Sequence, residues 1–181
     1  MEGVENVPPS GPVIMASNHL SFADSVVIPI VAPRKVVFLA KAEYFTGTGL
    51  KGRLSRAWFE GLGMVPVDRN DTRAALNSLD IALDVLKRGD AFGIYPEGTR
   101  SPDARLYRGR TGVARLVLES GAAVVPAVMI DTEKCMPIGA KIPRVRRIGT
   151  IIGKPLDFSR FAGMSADRFV LRSVTDEIMV E

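Results

Sequence analysis

Short runs of β-branched and apolar residues alternate along this chain with segments of helical periodicity, and this alternation constrains the fold more than any other feature. The runs predict buried strands at residues 13–16, 36–40, 64–67, 91–95, 124–130 and 148–152. Strands that alternate with helices favour an α/β fold with a largely parallel central sheet flanked by helices. At 181 residues, without a linker or repeat, the chain is predicted to be a single domain over residues 1–181 whose ends look truncated.

Three segments between or after these strands show helical periodicity. Residues 72–88 carry leucines at helical spacing, with Asp71 placed as the N-cap and Gly89 as a stop signal. Residues 110–120 and residues 165 to the end predict two further helices. The predicted core-facing residues of the first and last helices are Leu76, Leu79, Leu83 and Leu86, and Phe169, Val170, Val174 and Ile178.

The composition excludes several classes of site. The chain has one cysteine, Cys135, and one histidine, so neither a disulfide framework nor a His/Cys zinc site is expected. No apolar run reaches the ~18 residues of a membrane span, and the polar start does not resemble a signal peptide. The net charge of +4 favours phosphate-bearing ligands or an anionic membrane surface as partners.

The single histidine, His19, follows the first predicted strand, and Asp24 comes five residues later. Open α/β sheets place their ligand crevice at the carboxyl ends of the strands, so His19 is expected at that edge. Histidine accepts a proton readily near neutral pH, and a nearby carboxylate can fix its tautomer. The pair predicts a general base; the alternative is an ordinary loop histidine followed by a helix-capping aspartate.

Two other strand ends carry charged side chains. The sequence YPEGTRS at residues 95–101 follows the fourth predicted strand, and Arg69 follows the third. Gly98 permits an unusual backbone angle or a close ligand approach, and Arg69 with Arg100 could clamp a phosphate. The alternative is a turn with an incidental ion pair between Glu97 and Arg100, and an Arg69 paired with a neighbouring aspartate.

A proline, Pro126, interrupts the fifth predicted strand in the sequence Val125-Pro126-Ala127. Proline cannot donate a ladder hydrogen bond. This position therefore predicts a bulge or an edge near the site, and an ordinary edge strand is equally compatible.

In this order, these segments resemble the glycerolipid acyltransferases typified by 1-acylglycerol-3-phosphate O-acyltransferase (lysophosphatidic acid acyltransferase). That family carries N-H-x4-D, G-x-x-x-V-x-R, F-P-E-G-T-R-S and V-P-[VIA] motifs, which correspond here to residues 18–24, 63–69, 95–101 and 125–127. The resemblance covers residues 3–154. There are two departures: Tyr95 replaces a phenylalanine, and Arg110 lies in a Gly-Arg-Thr-Gly segment where the family tends to carry Phe-Lys-x-Gly.

The resemblance implies transfer of a fatty acyl group from acyl-CoA or acyl carrier protein to a glycerol-phosphate hydroxyl, typically converting 1-acyl-sn-glycerol-3-phosphate to phosphatidate. It implies His19 as the general base, Asp24 as the residue that orients it, and Arg69 with Arg100 as the acceptor phosphate site. Glu97 is implied to orient an arginine or the acceptor. Supporting roles are implied for Asn18, Glu97, Gly98, Thr99 and Arg110.

A thioester carries a good leaving group, so the implied reaction requires no metal or other cofactor. Backbone amides around Gly98 are a hypothesis for the oxyanion site. Two alternatives stay open: acylation of glycerol-3-phosphate or another lysophospholipid, and a non-catalytic module that binds lipid phosphate. The second would not need His19 and Asp24, so their presence favours an enzyme.

A lipid acceptor or product implies a site open to a bilayer, and thus a peripheral protein on the cytoplasmic face of a membrane. Leu50, Leu54 and Trp58 are spaced to share one helical face, with Lys51, Arg53 and Arg56 nearby. This pattern predicts either a helix at the membrane interface or an amphipathic helix packed on the protein's own core.

Other functions fit the sequence less well. Residues 47–52 match G-x-G-x-x-G, but no strand leads directly into them, which disfavours a dinucleotide site. No G-x-S-x-G elbow occurs, which disfavours a serine hydrolase. The dense basic cluster Arg144, Arg146 and Arg147 has few aromatic neighbours, so a solvated strand face or membrane-facing patch is favoured over nucleic-acid binding.

Overall fold

A computed structural model describes residues 1–67, 74–140 and 142–181, and it confirms the α/β architecture. The strands are β1 (Val13–Ser17), β2 (Val36–Lys41), β3 (Met64–Val67), β4 (Ala91–Ile94), β5 (Ala123–Ile130) and β6 (Gly149–Ile152). The helices are α1 (Asp24–Val31), α2 (Gly49–Gly61), α3 (Ala74–Lys87), α4 (Gly112–Ser120), α5 (Thr132–Cys135) and α6 (Arg168–Val180). Short 3-10 helices cover Val4–Asn6, Ala42–Tyr44 and Ser159–Phe161. The predicted N-cap Asp71 lies outside the described residues.

The described strands form one sheet in the order β3-β2-β4-β1-β5-β6. The strands from β1 to β5 run parallel to their neighbours, and only β6 is antiparallel, paired with β5. Parallel strands end at the same edge of a sheet, and in this class of fold that edge borders the ligand crevice. The loops that follow β1 and β4, which are adjacent in the sheet, therefore start side by side.

Helices cover both faces of the sheet. On one face, α3, α4 and α6 bury a core that includes Leu86, Leu116 and Val174 against Ile14 and Phe92. On the other face, α1 and α2 contribute Ile28 and Phe59 to a second core. This two-sided burial explains why the parallel strands read as continuous apolar runs without alternation.

The predicted apolar stripes of α3 and α6 are partly wrong. At 100° per residue, the buried side chains Ala82, Val85 and Leu86 centre the inner face of α3, and Leu76 lies well off that face and is exposed. Phe169 is likewise exposed, because it lies on the far side of α6 from the buried Val174. In both helices the buried face is narrower than the apolar pattern suggested.

The structure also corrects the expectation for Pro126. The strand β5 is internal, between β1 and β6, so Pro126 marks neither a sheet edge nor an edge strand. Gly153 donates a hydrogen bond to the Pro126 carbonyl, which places the Pro126 backbone on the β6 side of its strand. Pairing with β6 stops at Ile152, opposite Ala127. The missing N–H of Pro126 therefore falls at the end of the antiparallel ladder, where the hydrogen bond from Gly153 is not returned.

Helix α2 turns most of its large apolar side chains away from the protein's core. Gly52 and Phe59 are its buried residues, whereas Leu50, Leu54 and Trp58 are exposed, so the prediction that this apolar face packs on the protein's core is wrong. A side chain at Gly52 would collide with the backbone of Gly47. Close packing of the loop on the helix thus accounts for Gly47 and Gly52 of the G-x-G-x-x-G match, and Gly49 has a positive φ of 69°.

The arginine cluster is not on a strand. Arg144, Arg146 and Arg147 are exposed in an irregular segment before β6, which rules out a solvated strand face. Among the helices that the structure describes, none has the length and apolar content needed to cross a membrane.

Candidate active site

The structure brings His19 and Asp24 together where β1 ends. Asp24 is the first residue of α1, and its fully buried carboxylate Oδ2 lies 3.0 Å from His19 Nδ1. The same oxygen accepts hydrogen bonds from the backbone amides of Leu20 and Ser21, at 2.7 and 2.8 Å. Asp24 therefore closes the loop and orients the imidazole. Its carboxylate accepts from amides that precede α1, and the N-cap of that helix is Ala23 without a side-chain cap, so the alternative of a helix-capping aspartate is wrong.

This geometry sets the tautomer of His19. A carboxylate only accepts, so we assign the proton of the neutral ring to Nδ1, which leaves Nε2 with a free lone pair. The His19 side chain is 16% exposed. Within the described part of the chain, Nε2 has no hydrogen-bond partner. A partly exposed, correctly oriented lone pair is what a general base needs.

The loop after β4 holds the backbone of His19 at both ends. Glu97 Oε1 accepts from the His19 amide at 3.1 Å, and the Ser101 amide donates to the His19 carbonyl at 2.7 Å. The second oxygen of Glu97 accepts from the Tyr107 amide at 2.9 Å. Glu97 is 5% exposed, so its negative charge is stabilised chiefly by these two amides.

This arrangement does not support the implied role of Glu97 in orienting an arginine. Both of its carboxylate oxygens are engaged by backbone amides, and among the described residues it forms no ion pair with Arg100 or with another arginine. Glu97 is thus a positioning residue for His19 and Tyr107.

Asn18 fixes the end of β1 from the other side. Its side-chain amide donates to the Met129 carbonyl at 3.0 Å and its oxygen accepts from the Met129 amide at 2.7 Å. These two bonds imitate a strand pairing and join the start of the loop that carries His19 to β5. Ser21, which the sequence reasoning missed, is fully buried and donates to the Met136 carbonyl at 2.8 Å.

Tyr95 covers the face of the imidazole. The two rings are stacked with centroids 3.8 Å apart and an interplanar angle of 8°. The Tyr95 hydroxyl lies 2.9 Å from Ser25 Oγ. Burial, with a further contribution from the Asp24 charge, raises the pKa of Tyr95 well above its ordinary range, so its ring stays neutral at neutral pH. Two consecutive residues of α1 thereby position His19. Asp24 bonds the edge of the ring directly, and Ser25 acts through Tyr95, which covers the face of the ring.

We expect the stack to contribute measurably to the position of His19. Replacing Tyr95 with leucine should lower kcat for acyl transfer, the reaction that the resemblance implies, roughly 2- to 10-fold. This loss corresponds to the ~0.5–1.5 kcal/mol typical of a stacked aromatic pair. His19 is the only histidine in the chain, so its ring protons are identifiable by NMR in carbon-13-histidine-labelled protein. Their upfield ring-current shift should persist in Tyr95→Phe and vanish in Tyr95→Leu. Equal His19 shifts in all three proteins would contradict the stacking role.

Gly98 has a backbone that favours glycine, as the sequence predicted. Its φ is 76°, and a Cβ there would lie 2.9 Å from Arg110 Nε. The Arg110 amide donates to the Pro96 carbonyl at 2.8 Å, so Arg110 packs across this loop. The Gly98 amide itself donates to the Tyr95 carbonyl at 2.9 Å and is therefore occupied.

The structure describes two of the three candidate phosphate-binding arginines, Arg100 and Arg110. Arg69 lies outside the described residues. Arg100 is two residues after Gly98 and directly precedes Ser101, and Arg110 is exposed beside the same loop. Among the residues that the structure describes, neither guanidinium has a hydrogen-bond or ion-pair partner, so both can bind an anion. Thr99, between Gly98 and Arg100, is exposed.

An apolar groove of about 170 Å³ begins beside the loops that carry His19 and Glu97. It is lined by Asn18 and Pro96, by Pro126 and Val128 of β5, and by Leu106 and Met179. In the described ranges, no group of three or more histidine, cysteine or acidic residues is placed to hold a metal ion.

The sequence matches the model of the acyltransferase family over residues 1–130, a span that contains all four motifs. The chain belongs to the acyltransferase family. One relative is a chloroplastic 1-acyl-sn-glycerol-3-phosphate acyltransferase of Arabidopsis thaliana, which is 33% identical over 88% of this chain and 44% of the relative's length. Another is a 1-acyl-sn-glycerol-3-phosphate acyltransferase of Bacillus subtilis, which is 28% identical over 87% of this chain and 73% of the relative's length. The chain spans about half the length of the plant relatives it matches.

The fold also occurs in a solved acyltransferase. The crystal structure of the 1-acyl-sn-glycerophosphate acyltransferase of Thermotoga maritima superposes with a TM-score of 0.72 at 24% sequence identity, covering 98% of this chain and 67% of that one. This likeness establishes the shared architecture on which the acyltransferase motifs are placed.

Proposed function

We propose that this chain transfers a fatty acyl group from an acyl thioester to the free hydroxyl of 1-acyl-sn-glycerol-3-phosphate and so forms phosphatidate. The observation that carries the proposal is the His19–Asp24 pair, with Nδ1 held 3.0 Å from the buried carboxylate at the sheet edge of an acyltransferase-family chain. The names of the relatives support the choice of acceptor.

In the proposed reaction, Nε2 of His19 removes the proton of the acceptor hydroxyl as its oxygen attacks the thioester carbonyl. Asp24 stabilises the imidazolium that forms. The tetrahedral intermediate then collapses, the carbon–sulfur bond breaks, and the imidazolium proton goes to the departing thiolate. The chemistry needs no metal or cofactor, because a thioester already carries a good leaving group and the acceptor hydroxyl only has to be deprotonated.

Anion binding is assigned to the loop after β4. We assign the acceptor phosphate to the guanidinium groups of Arg100 and Arg110, which have no partner among the described residues, with Arg69 added by the resemblance. Since the Gly98 amide is occupied, we assign the developing oxyanion to the amides of Thr99 and Arg100, which have no backbone acceptor among the described residues. The apolar groove beside Asn18 and Pro96 would take part of an acyl chain.

Because the acceptor and product are lipids, we propose that the protein works as a peripheral protein on the cytoplasmic face of a membrane. Acyl-CoA and acyl carrier protein both supply the required thioester.

A comparison of acceptors tests the proposed function. Purified protein is incubated with acyl-CoA or acyl carrier protein and either 1-acyl-sn-glycerol-3-phosphate or glycerol-3-phosphate, and thiol release and lipid products are followed. We expect phosphatidate as the main product. If only glycerol-3-phosphate is acylated, the proposed acceptor is wrong and the proposed class of reaction, acyl transfer, is retained. No acyl transfer to any glycerol phosphate, with phosphate binding retained, would favour a non-catalytic module.

A further inference from the structure

The outward side of α2 forms an apolar stripe, which we call the α2 stripe and define as Leu50, Leu54 and Trp58. These side chains are 73%, 63% and 58% exposed. At 100° per residue Leu50 and Leu54 lie on the opposite side of the helix from the buried Phe59, and Trp58 lies about 100° from it, on the flank. Three large apolar side chains at helical spacing on a solvent-facing surface indicate a contact with something outside the described chain.

Positive charge flanks the stripe on both sides. Lys51 and Arg53 are exposed and have no carboxylate partner among the described residues, whereas Arg56 is paired with Glu60 at 2.7 Å. Glu60 is the only acidic residue in the helix. An apolar stripe with tryptophan at one end and cations along its margins is complementary to a bilayer interface that carries anionic headgroups.

The inner side of α2 connects the stripe to the catalytic loop. Phe59 stacks on Tyr44 with ring centroids 4.8 Å apart and meets the edge of Phe22 at 6.1 Å. Phe22 lies between His19 and Asp24 in the sequence. The helix that carries the stripe therefore also packs, through Phe59 and Phe22, against the loop that carries the proposed general base.

We propose that the α2 stripe docks on an anionic phospholipid bilayer, with Leu50, Leu54 and Trp58 among the acyl-chain boundary and Lys51 and Arg53 on lipid phosphates. The proposal rests on the proposed function only for its choice of a lipid surface as the partner.

Trp58 reports on this helix directly, because it is the only tryptophan in the chain. Without acyl donor or acceptor, its fluorescence should shift to the blue on addition of vesicles of phosphatidylcholine mixed with phosphatidylglycerol, and lipids with brominated acyl chains should quench it. Phosphatidylcholine vesicles alone should give a weaker shift. Cosedimentation without any change in Trp58 emission would overturn the proposal, because the protein would then bind through another surface.

Variants separate the α2 stripe from other surfaces. Neutralising Lys51 and Arg53 with glutamine should weaken vesicle binding about 25-fold, at about fivefold for each charge. Leu54→Asp should abolish it. The matched controls are Phe169→Asp, which changes an exposed apolar residue on α6, and Arg144→Gln with Arg146→Gln, which removes two charges from the other basic cluster.

The controls should bind vesicles as the unchanged protein does. If the Arg144/Arg146 variant loses binding and the Lys51/Arg53 variant keeps it, the docking surface is the segment before β6 and the proposal is wrong. A stable dimer that Leu54→Asp dissociates would assign the stripe to a second copy of the chain and would also overturn it. Since binding is measured without substrates, either result leaves the proposed acyl transfer untouched, and loss of acyl transfer leaves the binding result untouched.

Discussion

Replacing His19 with alanine should lower acceptor-dependent thiol release from acyl-CoA by about 10²–10⁴-fold, the usual contribution of a positioned general base. The chain has no second histidine to take over the role. The contacts of Glu97 and Ser101 are made to the backbone of residue 19, so the variant keeps them and should fold normally. The loss should therefore appear in kcat with little change in the melting temperature.

The control is thiol release measured without acceptor, which should be the same in both proteins. Activity near that of the unchanged protein would show that Nε2 does not take the hydroxyl proton. A large drop in melting temperature would instead identify His19 as a structural residue.

Replacing Asp24 with alanine should reduce both activity and stability. The buried Oδ2 accepts three hydrogen bonds, and its removal leaves the amides of Leu20 and Ser21 without a partner. At about 1–3 kcal/mol for each unsatisfied buried group, the free energy of unfolding should fall by ~2–6 kcal/mol. Activity should fall by about 10²–10⁴-fold, because the hydrogen bond that orients Nδ1 is lost and no carboxylate then stabilises the imidazolium.

Asp24→Asn separates these effects. The amides of Leu20 and Ser21 need an acceptor, so the side-chain oxygen of the asparagine should take the position of Oδ2. That oxygen also faces His19, so the proton stays on Nδ1. The variant should therefore be more stable than Asp24→Ala and retain more activity, while lacking the charge that stabilises the imidazolium. Stability measured by urea unfolding and kcat measured by thiol release test both expectations. Equal activity in Asp24→Asn and the unchanged protein would remove the charge from the mechanism.

Much of this fold could be predicted from the sequence, because parallel strands buried on both faces leave an unmistakable pattern. The strands begin and end within one residue of the predicted positions. The N-terminal position of Asp24 on α1 and the left-handed backbone of Gly98 also follow from local rules. These features depend on residues close in sequence or on the hydrophobic pattern of a whole element.

The errors concern how elements are turned and what lies beside them. Leu76, Phe169 and the α2 stripe are apolar at helical spacing, yet tertiary packing turned other residues of their helices inward. The resemblance implies that Glu97 orients an arginine or the acceptor, whereas the structure pairs its carboxylate with the amides of His19 and Tyr107. Neither result has a local signal in the sequence. The tyrosine in place of phenylalanine at position 95 was visible, but its partner Ser25 is 70 residues away.

The hydrogen bonds that hold the loop of His19 have a consequence for the order of folding. Glu97 is 78 residues from His19 along the chain, Met129 is 111 residues from Asn18, and Met136 is 115 residues from Ser21. Contacts of such sequence separation form late, because the intervening chain must first be ordered. A nascent chain released before β5 has been synthesised would therefore contain His19, Asp24 and Glu97 and still lack the supports from Met129 and Met136. Under the proposed function, catalytic competence should thus appear only when the sheet is complete.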